Sequence, residues 1–87
     1  MTTELSKTIN IGKDTHAKLK QVGIDTFEKL VSTGTEQAFI KLQTIHPDAC
    51  INLLYSIDGA INGVKWNNLP SERKKELLDF FKMVKKH

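Results

Sequence analysis

The residues best suited to chemistry in this chain are Asn10, Ile11, Gly12 and Lys13, and the chemistry they suit is holding an anion. "INIG" is a glycine-marked turn leading straight into a helical stretch. A glycine at position 12 is expected to take a positive φ, letting the chain reverse at the helix entry without a Cβ clash. Several backbone N–H groups would then point outward at the positive end of the helix dipole. A phosphate fits such a place without any side chain reading a base. Lys13, Lys18 and Lys20 supply cations around it. A second set of cations, Lys74, Lys75, Lys82, Lys85 and Lys86, falls on one flank of the last helical segment when it is plotted at about 100° per residue. Glu72, Glu76 and Asp79 fall on the other flank, and the lysines crowd the last turn, where they complement the dipole. The lysine flank is either an ordinary solvated face or a basic stripe that tracks phosphates or meets an acidic protein; if it tracks phosphates, exchanging Lys75, Lys82 and Lys86 for Glu should abolish retention on DNA while leaving helicity unchanged.

Other chemistries find no such set. His16, His46 and His87 are far apart, and neither His–x₃–His nor Cys–x₂–Cys spacing occurs, so no metal and no cofactor is expected. Cys50 falls on the apolar face of a helical pattern and reads as a small core residue. His16 reads as a partly buried helix residue and His46, before Pro47, as a loop or capping residue. "NIGK" lacks the glycines and the Ser or Thr of a nucleotide-binding phosphate loop. In "GAINGVKW", Gly59 and Ala60 would admit a closely crossing backbone, Gly63 would end a helix, and Trp66 would cover the joint. No small-molecule pocket follows from that segment, and no catalytic set can be assembled, so the chain is expected to be non-enzymatic.

The elements that must position these residues are helices, because apolar spacing is helical nearly throughout. The first is expected from about Lys13 to Val22, terminated by Gly23. The second runs from about Thr26 to Ser32, with Asp25 capping its first turn and Glu28 reaching back. The third spans about Thr35 to Thr44 and stops before "HPD", since Pro47 pushes its predecessor away from helical angles. The fourth, about Pro47 to Ile61, is the most apolar and reads as central, with Cys50, Leu54, Ile57 and Ile61 at i, i+4, i+7 and i+11. The last runs from about Pro70 to Lys85, with the proline at the first helical position and Leu77, Phe80, Phe81 and Val84 as its buried stripe. The fold class expected is all-α, a compact bundle of five short helices.

Eighty-seven residues make one domain, 1–87, with residues 1–8 as a flexible lead. Composition, 39% hydrophobic and 26% charged, is that of a globular chain. No apolar run approaches the roughly 20 residues that cross a bilayer, no apolar signal core opens the chain, and the lone Cys50 fits a reducing compartment. A cytoplasmic location is expected, with no membrane partner. The net charge of +3 divides as +1 over residues 1–34, −1 over 35–66 and +3 over 67–87. Such a balance permits nucleic-acid contact without requiring it.

The spacing of Ile11, Gly12, Leu19, Gly23, Ile24, Thr26 and Leu30 resembles the helix-hairpin-helix motif of non-specific DNA-binding proteins, with Asn10 where that motif carries its first glycine and His16 where it often has a small residue. Packing alone would equally account for this hairpin. A wider likeness runs from about Ile9 to Phe81. "NIG" at Asn10 to Gly12, "GI" at Gly23 and Ile24, "LLY" at Leu53 to Tyr55, "GA" at Gly59 and Ala60, then Trp66, Leu69 and Pro70 resemble the C-terminal domain of the TfoX or Sxy competence regulators. The resemblance implies a free-standing copy of that domain, with a SAM-like five-helix fold containing one helix-hairpin-helix. It also implies a bacterial role in regulating DNA uptake. The DNA backbone is one expected partner, contacted non-specifically. The alternative is a protein partner or a homodimer, met by docking in the manner of SAM-like folds with no nucleic-acid binding.

Overall fold

The computed structural model describes residues 10–85. Its elements are α1 (Lys13–Gln21), α2 (Phe27–Thr33), α3 (Thr35–Ile45), α4 (Ile51–Asn62), a single 3-10 turn (Trp66–Asn68) and α5 (Ser71–Lys85). The expected lead over residues 1–8 lies outside the described residues. The five helices sit where the apolar period places them, and their ends follow from local chemistry. α1 and α4 close by the same device: Gly23 (φ 86°) and Gly63 (φ 71°) adopt the left-handed conformation that costs glycine little. The next residue's N–H then returns to a carbonyl five positions back, Ile24 to Leu19 at 2.9 Å and Val64 to Gly59 at 2.8 Å. The first of these closures also lays Ile24 beside Leu19 in the core.

α3 and α4 form the centre, with α2 and α1 on one side and α5 on the other. One apolar cluster joins Ile11, Leu19, Ile24, Leu30, Ala38, Leu42, Ile57 and Ala60, so the entry to α1 is anchored in the core through Ile11. A second joins Phe39, Ala49, Leu54, Leu69 and Leu77, with Phe80, Phe81 and Val84 packed against it. Phe39 holds α5 to α3, its ring 6.5 Å from Phe80 and 5.8 Å from Phe81. The close crossing expected at Gly59 is present. A Cβ there would lie 2.5 Å from both the Val64 carbonyl oxygen and Asn10 Nδ2.

Four local expectations are corrected. Thr26, one residue later than Asp25, caps α2 by accepting the Lys29 N–H at 3.1 Å. Asp25 instead pairs with Lys29 Nζ at 3.0 Å, and this hydrogen bond and charge hold its carboxyl below the usual range. α4 begins at Ile51, four residues after Pro47, because "HPDA" closes a turn in which the Ala49 N–H donates to the His46 carbonyl at 3.0 Å. That turn lowers Ala49 into the second cluster and leaves Cys50 as an extended, exposed N-cap, so Cys50 is not a core residue. Pro70 stands just before α5, its carbonyl accepting the Lys74 N–H at 3.0 Å.

Candidate functional site

The corner at the start of α1 is built around Asn10 rather than Gly12. Asn10 takes the positive φ, 70°, that was expected of Gly12, and among non-glycine residues asparagine tolerates this conformation best. Gly12 is an extended N-cap with φ −89° and ψ −178°. The Asn10 side chain is fully engaged: Nδ2 donates to the Val64 carbonyl at 2.8 Å and Oδ1 accepts the Trp66 N–H at 3.2 Å. It thereby ties the entry of α1 to the segment that follows α4. Ile11 is buried beneath. Gly12 and Lys13 are exposed, and among the described residues no side-chain cap is made to the first turn of α1, whose amides lie at the dipole's positive end. Asp14 adds an exposed carboxylate to that turn, which offsets part of the attraction for an anion.

Of the other residues singled out in the sequence, Lys20 is exposed on α1. Lys18 is half-buried against the segment between α3 and α4, sharing a cleft with Asp14, His46 and Asp48. Lys75 and Lys82 are exposed on α5, and Lys86 lies outside the described residues. α1 packs on α3 and α5 on α4. The residues that do lie beside the α1 corner are Lys65, Trp66 and Lys74. Lys65 is exposed, Trp66 is 39% exposed, and Lys74 reaches the same turn through the Asn67 carbonyl at 3.4 Å. Trp66 stands partly exposed at this joint. Its backbone is fixed there while its ring belongs to neither apolar cluster. Because the Asn10 contacts span more than fifty positions, "VKWNN" carries no local signal for them beyond a tryptophan between polar neighbours.

Two further features went unread in the sequence. Asp58, 1% exposed, accepts the Thr35 hydroxyl at 2.9 Å and is bridged by Arg73, whose Nη2 lies 2.7 Å and Nε 3.1 Å away. Arg73 also meets Glu36 at 3.3 Å. The Asp58 hydrogen bonds, aided by its charge, raise the guanidinium pKa further above its ordinary value, against the effect of partial burial. This unit clamps α3, α4 and α5 together. Its signal was a carboxylate four residues after Leu54, on the apolar face of the central helix. The second feature is an apolar groove of about 540 Å³ between α3 and the C-terminal half of α5, lined by Ile40, Gln43, Thr44, Pro47, Phe80, Met83 and Val84. Ile40 and Met83 stand exposed at its rim. No helix of the described residues is long and apolar enough to cross a membrane.

This geometry can be set beside known proteins. Among proteins of curated function none matches the chain. Two crystal structures of proteins from Listeria monocytogenes are closely similar. One, of an uncharacterized protein in a triclinic form, has a TM-score of 0.94 at 32% identity, covering 98% of this chain and 97% of its own. The other, of a protein of unknown function in a tetragonal form, has a TM-score of 0.90 at 32% identity, covering 92% of this chain and 99% of its own. The model of the TfoX C-terminal domain matches residues 1–81, and the resemblance carried by "NIG", "LLY" and "GA" is thereby established: the chain belongs to the TfoX C-terminal domain family.

Proposed function

We propose that this competence-regulator-like module is non-enzymatic and acts by touching nucleic-acid backbones, without base specificity, at the corner where α1 begins. One observation carries the reading. The first turn of α1 is pinned by Asn10 against a segment that presents Lys65, and among the described residues that turn has no side-chain cap and neither Lys13 nor Lys65 has a carboxylate partner. Cations with no intramolecular partner beside first-turn amides can meet phosphate oxygens without first breaking an ion pair. Lys74 and Lys75, in the first half of α5, would extend the contact along a strand.

Fluorescence anisotropy with a labelled duplex of arbitrary sequence tests this. If about three phosphates are neutralised, raising salt from about 50 to 200 mM should weaken binding about 40-fold. Lys13→Glu with Lys65→Glu should lower affinity at least tenfold, and circular dichroism should show unchanged helicity. Affinity that ignores both salt and this double substitution would remove the corner from the mechanism.

The groove between α3 and α5 supports a second reading, docking on a protein or on another copy of this chain. Exposed Ile40 and Met83 at the rim of an apolar channel are what such docking uses, and binding of that kind would respond little to salt.

A further inference from the structure

We infer that Trp66 is a stacking platform for an unpaired base, so that the nucleic acid held at the α1 corner is single-stranded. This inference rests on the backbone-contact reading above and adds the class of ligand to it. Trp66 is the chain's one tryptophan, yet it is 39% exposed and belongs to neither apolar cluster. Its position is nonetheless fixed. Its backbone N–H donates to Asn10 Oδ1 at 3.2 Å, and the Asn68 N–H closes the 3-10 turn on the Lys65 carbonyl at 2.8 Å. Leu69, next along, is buried in the second cluster. An indole carried on so constrained a turn loses little freedom when a flat partner covers it.

The surroundings select the partner. Lys65, Asn67 and Asn68, its neighbours in the chain, are exposed and polar, and Lys74 reaches into the same turn. The exposed Met83 and Ile40, by contrast, border an apolar groove elsewhere. A ring set among lysines and amides fits a ligand that is aromatic and anionic at once. Nucleic acid has that chemistry, but in a duplex each base face is covered by the next base pair. An indole can meet a base face only where the strand is unpaired. The first-turn amides of α1 and Lys13 would then take the phosphates on either side of the stacked base.

Since Trp66 is the only indole, its emission reports the contact directly. The full chain is titrated with a short oligothymidylate, with an abasic phosphodiester of the same length, and with a mixed-sequence duplex. The expected result is quenching by oligothymidylate, little by the other two, and single-strand affinity lowered about tenfold or more by Trp66→Ala. Trp66→Phe, which keeps a ring, should retain part of that affinity, and duplex affinity should be unchanged in both variants. Equal affinity for the oligothymidylate and the abasic strand, or duplex binding as tight as single-strand binding without quenching, would overturn the stacking while leaving the backbone contact standing. Failure of every nucleic acid to bind would overturn both.

Discussion

At the scale of single residues, two glycines with similar sequence signals have opposite roles. Gly12 was read as the position needing a backbone that only glycine adopts easily. Asn10 has that conformation instead, and a Cβ at Gly12 would meet nothing within 4 Å. Gly59 lies in a regular helix, where glycine is unfavourable by roughly 1 kcal/mol relative to alanine. It is needed because Val64 doubles back over it. A Cβ would sit 2.5 Å from the Val64 carbonyl, which also accepts Asn10 Nδ2 and is therefore held from two sides. Gly59→Ala should destabilise the fold by about 1–3 kcal/mol, as overpacking does. Gly12→Ala should stay within about 1 kcal/mol of the parent, the weaker N-cap being offset by a less flexible unfolded chain. Urea midpoints with unchanged slopes decide the matter, and a larger loss at position 12 than at 59 would reverse the assignment. Since Asn10, Val64 and Trp66 meet at this crossing, the same contact that explains Gly59 shapes the candidate interface.

At the scale of elements, the helices were legible and the links between them were not. Leu77, Phe80, Phe81 and Val84 have one direction to face whatever lies opposite, so period alone places α5. The start of α4 was misread because a helical projection was carried through "HPDA", whose turn leaves Cys50 extended and exposed. The clamp of Asp58, Arg73, Thr35 and Glu36 was illegible for another reason. A carboxylate on an apolar face announces that it needs a partner but not which one, and Arg73 is a helix away. Removing Asp58 leaves the partly exposed Arg73 with Glu36 alone, so Asp58→Ala should cost about 1–3 kcal/mol in urea unfolding. Replacing the pair together, Asp58→Leu with Arg73→Met, should recover most of that loss, because the desolvation of both charges disappears with them. A double variant as unstable as Asp58→Ala would show that the clamp's contribution lies in shape rather than charge. The raised guanidinium pKa keeps Arg73 charged throughout the usable pH range, so its contribution would be lost only far above that range.

At the scale of the whole molecule, two candidate surfaces lie at different places on a body measuring 36 × 27 × 20 Å. The basic and aromatic corner gathers the entry of α1, the 3-10 turn and the N-terminal part of α5, where Lys74 meets Asn67. The apolar groove lies toward the other end of α5, where Phe80, Met83 and Val84 face Ile40 of α3 and Lys85 bonds the Pro47 carbonyl. A helix of 15 residues is about 22 Å long, enough to keep the two surfaces from sharing side chains. The segment charges foretold the basic character of α5, but the bonds from Asn10 to Val64 and Trp66, 54 and 56 positions on, bring the entry of α1 and Trp66 to one corner. If each surface has its own partner, their substitutions should act independently. Ile40→Glu with Met83→Glu should remove any concentration-dependent rise in mass seen by light scattering, through burial of charge in the groove, and should leave nucleic-acid anisotropy unchanged. Lys13→Glu with Lys65→Glu should do the reverse. A groove variant that also lost nucleic-acid binding while keeping its helicity would mean that the strand is held by a dimer, making one composite surface of the two.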